Sequence, residues 1–132
     1  MKKLFISCPM KGRTDENIKK SMEKMHKIAE IIFDQELEVI PSFFEDEAPE
    51  AANKPVYYLG KSIQLLADAD FFIGVDTTYT GEWNGCDVER VVAERYGIPR
   101  YLMRADIIIP DAWEAIYMGR FCGDTGLPEA TE

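Results

Sequence analysis

The stretch Asp70-Phe71-Phe72-Ile73-Gly74-Val75 carries no polar side chain after its opening aspartate. A strand with one wet face alternates apolar and polar residues, so an unbroken apolar run is expected of a strand covered on both faces, as in a parallel sheet layered between helices. This strand is therefore expected at the centre of the fold. On its N-terminal side, Tyr58, Leu59, Ile63 and Leu66 recur at helical spacing behind Pro55, a residue tolerated in a first helical turn. On its C-terminal side, Thr77 to Glu82 is rich in turn formers. Asn84 is then expected to cap a helix, with Asp87 three residues on as a variant of the capping box, and Val88, Val91, Val92 and Tyr96 carry that helix to Gly97.

Further out, Lys3 to Ser7 reads as a first strand broken by Cys8-Pro9-Met10-Lys11-Gly12. Thr14 is expected to cap a helix from Asp15 to Asp34, whose apolar face is Ile18, Met22, Met25, Ala29 and Ile32. Leu37 to Pro41 is a second short strand, and Ser42 to Lys54, acidic and without period, is expected to be a mobile loop. Pro99 to Met103 gives a fourth strand, and Asp106 to Ile109 is a candidate for a short fifth. Pro110-Asp111 opens a last helix to about Gly119, and the tail after Cys122 is expected to fray. Strands alternating with helices predict a single three-layer α/β domain over 1–132, Rossmann-like or flavodoxin-like. Its parallel sheet has four to five strands in the order 2-1-3-4, with a ligand crevice at their carboxyl ends.

Composition narrows the function. A chain of 132 residues, 46% apolar, is long enough for one core and too short for a multidomain enzyme. Its 24 acidic against 15 basic residues leave a net charge of −9, which repels phosphate backbones, so no nucleic acid polymer is expected as a partner. No apolar run approaches the roughly 20 residues of a membrane span, and the N terminus lacks the apolar region of a signal peptide. No membrane partner and a cytoplasmic location are therefore expected. The three cysteines, Cys8, Cys86 and Cys122, form no CxxC pair and suggest reduced thiols, and the one histidine, His26, leaves few ligands for a His-rich metal site and is assigned no role.

The crevice rule directs attention to Ser7–Gly12, Ser42–Asp46, Asp76–Asn84 and the first turns of the helix that follows. The chain has no GxxxxGK[ST] loop, no GxGxxG after the first strand, no HExxH and no GxSxG. What remains is Trp83-Asn84-Gly85-Cys86-Asp87-Val88-Glu89. Glu89 neighbours the apolar stripe of Val88, Val92 and Tyr96, so it is expected to be partly shielded, and the helix-end field is expected to keep it ionised. Such a carboxylate suits attack on a sugar C1′, where the transition state is cationic. A glutamate in this place commonly does no more than complement the helix dipole.

Ile6-Ser7-Cys8-Pro9-Met10-Lys11-Gly12-Arg13-Thr14-Asp15, Ser42-Phe43-Phe44-Glu45-Asp46, Tyr58-Leu59-Gly60-Lys61-Ser62, Ala69-Asp70 and Gly85-Cys86-Asp87-Val88-Glu89 through Gly97-Ile98-Pro99 resemble the short proteins related to nucleoside 2-deoxyribosyltransferases. The resemblance spans about residues 3 to 103. It implies that Glu89, four residues after Gly85, is the nucleophile of a reaction that cleaves the N-glycosidic bond of a deoxynucleoside or its 5′-monophosphate. The sugar passes to another base or to water. It implies no metal or redox cofactor, a small nucleoside or nucleotide as the partner, and a homo-oligomer. Ser7, Cys8, Pro9, Met10, Ser62, Asp76, Trp83, Gly85 and Asp87 are the expected substrate-binding residues.

Two positions depart from the family pattern. Ser62 stands where the transferases carry an aspartate, and Trp83 where they carry Asp or Ser. A hydroxyl cannot act as an acid near neutral pH, so protonation of the base needs another donor, for which Asp76, Asp87 and Tyr79 are candidates. Trp83 can stack on a base or simply close the core. A bound phosphate is expected on backbone N–H groups near Gly85 and the first-strand loop, with Lys11 or Arg13 adding charge. The exposed-looking aromatics Phe43, Phe44, Tyr57, Tyr58, Trp113, Tyr117 and Phe121 favour association of chains. The rival readings are a nucleotide-binding or sequestering protein without catalysis, and an interaction module.

Overall fold

The computed structural model describes residues 1–41, 53–77 and 83–111. The chain runs β1 (Lys2–Ser7), α1 (Asp15–Ile32), β2 (Leu37–Val39), α2 (Lys54–Leu66), β3 (Phe71–Val75), α3 (Asn84–Arg95), β4 (Arg100–Met103) and α4 (Ala105–Ile108). All strand pairs are parallel and the order is β2-β1-β3-β4, the order expected of a Rossmann-like α/β fold. β3 is central, as its unbroken apolar run requires, with Leu4 opposite Phe71 on one side and Phe72 opposite Arg100 on the other.

Alternation along the strands builds two cores. Leu4, Ile6, Ile73 and Val75 pack with Met25 and Ala29 of α1 and Ile108 of α4, whereas Phe5 and Phe72 pack with Leu66 of α2 and Ala93 of α3. Phe5 and Phe72 are opposite each other in register and their rings stack at 5.8 Å. The Phe72 ring folds back over Gly74, where a Cβ would lie 2.8 Å from Cε1 of that ring. Gly74→Ala is therefore expected to cost about 1–3 kcal/mol through overpacking of a buried ring, measured by urea denaturation.

Local chemistry ends the helices where expected. The Thr14 hydroxyl accepts from the Asn17 N–H at 3.1 Å, and Gly97, at φ 72°, lets the Ile98 N–H reach the Ala93 carbonyl in a Schellman closure of α3. His26 contacts the Leu37 carbonyl at 2.9 Å through Nε2 and so joins α1 to β2.

Two expectations fail. Residues 105–108 form the short helix α4 rather than part of a fifth strand, because Arg104 turns the chain out of the sheet and the Ile109 N–H closes onto the Ala105 carbonyl. Asn84 is not the cap of α3: Trp83 holds that position, and Asn84 is already helical. Indole has no acceptor, so α3 begins without a side-chain cap. Pro110 and Asp111 are helical, and Asn53 caps α2 with Lys54 already helical, so the expected loop from Ser42 ends before Asn53; residues 42–52, the expected turn at 78–82, the rest of the expected last helix and the tail expected to fray lie outside the described residues. No described helix is long and apolar enough to cross a membrane.

Candidate active site

The winding of the sheet reverses between β1 and β3, and a cavity of about 530 Å³ opens at their carboxyl ends. One wall is the end of β1 and its loop: Ile6, Cys8, Pro9, Met10 and Lys11. A second is a stripe of α2, Pro55, Tyr58, Leu59 and Ser62, and the third is the entrance to α3, Trp83, Asn84, Gly85, Cys86 and Glu89. The sequence reading nominated Ser62 from α2 but missed its neighbours. Helical spacing was the available signal, since positions 55, 58, 59 and 62 share one face.

Glu89 lies at the junction of these walls, 9% exposed. The buried Ser7 hydroxyl donates to its Oε1 at 2.6 Å, a length typical of a hydroxyl on a carboxylate. Ser7 is the last residue of β1 and pairs with Gly74. Burial pushes the Glu89 carboxyl above its usual range, and hydrogen bonding from Ser7 and Ser62 opposes that push. The helix field does not dominate as expected, because Glu89 is the sixth residue of α3 and the field falls off within the first turn.

That raised pKa has a sign for stability. The folded state holds the Glu89 proton more tightly than the unfolded chain, so this group's contribution is fully present below the unfolded value and is lost as pH rises through the folded one. Glu89→Gln keeps the shape without the charge. It is expected to raise the stability at neutral pH and to change little below the unfolded glutamate's pKa. Paired thermal melts across pH 4 to 8 check this; a variant less stable than wild type at neutral pH contradicts it.

Cys8 and Cys86 both line the cavity as free thiols. Burial pushes Cys8 up to about 11, against the lowering effect of Arg13, and burial with the nearby Glu89 charge pushes Cys86 up to about 12. Both are protonated at neutral pH and serve as small core residues. Trp83, 5% exposed, belongs to the same core and lines the cavity.

Asp76 and Asp87 are not among the lining residues. Asp87 precedes Glu89 by two positions, about 200° around the helix, so the two carboxylates face apart. The Asp87 carboxylate accepts from Thr77 Oγ1 at 2.7 Å and Arg90 Nη2 at 2.8 Å, and these contacts hold it below the usual range, making it a poor acid. The Asp76 N–H continues the ladder to the Met103 carbonyl, on the β4 side of β3 away from the crevice. Tyr79 lies outside the described residues.

Of the two cations considered for a phosphate, exposed Lys11 lines the cavity. Arg13 does not serve, because its guanidinium is buried and forked onto Asp111 at 2.9 and 3.0 Å. Among the described residues no group of three or more His, Cys, Asp or Glu could hold a metal ion. Comparisons with family models, curated proteins and solved structures find no match for this chain.

Proposed function

We propose that this chain binds a nucleoside or nucleoside 5′-monophosphate in the β1–β3 cavity and cleaves its N-glycosidic bond, with Glu89 as nucleophile. The observation that carries the reading is the Glu89 carboxyl at the cavity wall, with one oxygen held by Ser7. In this reaction a carboxylate oxygen attacks C1′ as the bond to the base breaks, and the electron pair of that bond leaves on the base nitrogen. The resulting glycosyl ester is then resolved by water or by a second base. Trp83 and Tyr58 offer aromatic surface to a base. Lys11 and the uncapped start of α3, where Asn84 and Gly85 line the cavity, suit a single phosphate. The experiment is incubation of the pure protein with a panel of deoxynucleosides and their monophosphates, with free base as the product sought.

A second reading, binding without turnover, is favoured by Ser62 beside a carboxyl that burial pushes toward its neutral form. Stabilisation by a nucleotide with no free base released selects it; at a hundred times Kd the stabilisation is about 2.7 kcal/mol.

The chain is further proposed to work as a homo-oligomer in the cytoplasm. Val56 of α2 and Val88 of α3 are 60% and 40% exposed on neighbouring helices. Of the aromatics expected to drive association, Tyr57 and Tyr58 are only half-buried, packed edge to face at 5.4 Å, and the other five lie outside the described residues. Light scattering at micromolar concentration is expected to give at least a dimer, and a monomer refutes this.

A further inference from the structure

Arg13 follows the loop that forms one wall of the cavity, yet it does not point into the cavity. Its side chain is 1% exposed, and every arm of the guanidinium is engaged. Nε and Nη2 fork onto Asp111, beyond α4. Nη1 donates to the Pro9 carbonyl at 2.9 Å and to Cys8 Sγ at 3.5 Å. Nη2 also donates to Ser21 Oγ at 2.7 Å and the Asn17 carbonyl at 3.3 Å. Ser21 in turn donates to the Ile108 carbonyl at 3.1 Å, so α1 is also bonded directly to α4 beside the Arg13–Asp111 pair.

A bidentate pair of this kind, with the guanidinium buried and the carboxylate partly exposed, is specified by geometry, and Lys cannot reproduce it, because an ammonium has no planar fork. Pro9 and Cys8 line the cavity, whereas no residue of α4 and not Asp111 does. One guanidinium thus holds two segments that share no strand pairing, one of which shapes the site. Without Asp111, the Arg13 charge stays buried without its counter-ion, and the guanidinium whose Nη1 holds the Pro9 carbonyl loses its anchor.

We propose that Arg13 is a positioning residue that makes the Cys8–Pro9 wall of the cavity and the Ala105–Asp111 segment one cooperative unit, so that a change at Asp111 is felt in the site it does not touch. The consequence for substrate rests on the nucleoside reading above; the coupling itself does not.

The test is residue-resolved hydrogen exchange on the whole chain without ligand, comparing wild type with Asp111→Asn, Arg13→Lys and the double variant. The Arg13 amide, bonded to the Met10 carbonyl, reports the loop, and the Ile73 amide in β3 reports global opening. In Asp111→Asn the loop amide is expected to gain at least about ten times the acceleration seen in β3, and the double variant to exchange no faster in the loop than Arg13→Lys. A loop acceleration no larger than that of β3, or additive effects in the double variant, overturns the proposal. If Arg13→Lys does not fold, Asp111→Asn alone decides it, since the Asp111 side chain is one-third exposed and asparagine keeps its size.

A kinetic arm separates this failure from failure of the function. Where a deoxynucleoside is turned over, Asp111→Asn is expected to raise KM and to leave kcat within about twofold, because the Ser7–Glu89 pair is untouched. Absence of turnover in wild type counts against the glycosidase reading and leaves the exchange result to decide the coupling.

Discussion

Glu89→Ala is expected to lower the release of free base by roughly 10³-fold or more, because removal of a nucleophile eliminates the covalent route rather than weakening a contact. The side chain to be removed is buried and bonded to Ser7, so truncation also leaves that hydroxyl without its acceptor. Circular dichroism and a melt must show that the variant is folded before its rate is read. Glu89→Gln gives the sharper comparison. It keeps the acceptor for Ser7 and is expected to be at least as stable as wild type at neutral pH, while losing activity to the same extent. A catalytic carboxyl that is raised by burial also places the acid limb of the rate profile above the ordinary glutamate range, since the attacking form is the carboxylate. An unchanged rate in either variant refutes the assignment.

The largest stability effect is expected at Phe72. Its ring is fully buried, stacks on Phe5 at 5.8 Å, and fills the space that Gly74 leaves open. Phe72→Ala removes that ring from the middle of β3 and is expected to cost about 3–5 kcal/mol, of which part is the cavity left between β1 and α3. For a domain of this size that is a large share of the total, so the melt is expected to shift by more than about 10 °C. The pairing with Gly74 supplies an internal check. Gly74→Ala alone collides with the Phe72 ring, whereas in Phe72→Leu the ring is gone. The double variant Phe72→Leu/Gly74→Ala is therefore expected to be more stable than the sum of the single effects predicts. Additivity in urea titrations contradicts the contact.

Much of this architecture is written in short-range pattern. The run Phe71–Val75 named a strand covered on both faces, Thr14 named the start of α1, and the alternation of strands with helices predicted the sheet order found. These are properties of consecutive residues, and right-handed crossovers leave few ways to assemble them. Gly85 and Glu89, four residues apart, share one side of α3, and both line the cavity. Two positions of sequence put Asp87 on another side of α3 from Glu89, and cap preference, which favours asparagine over tryptophan, did not locate the start of α3. The five aromatics outside the described residues add nothing either way.

Tertiary structure alone decided the chemistry around those elements. Ser7 and Glu89 are 82 positions apart, and Arg13 and Asp111 are 98 apart. No local period reports such pairs, because each forms only when the parallel sheet brings β1 between its neighbours and lays α3 and α4 over opposite faces. The same packing turned Arg13 from a candidate anion ligand into a buried tie, and raised the Glu89 carboxyl by burial where the sequence suggested a helix field. Backbone preference and apolar periodicity act over a turn or a few residues, and they determined the elements and their order. Desolvation and ion pairing depend on what the finished fold places within a few ångströms, so they were settled only there.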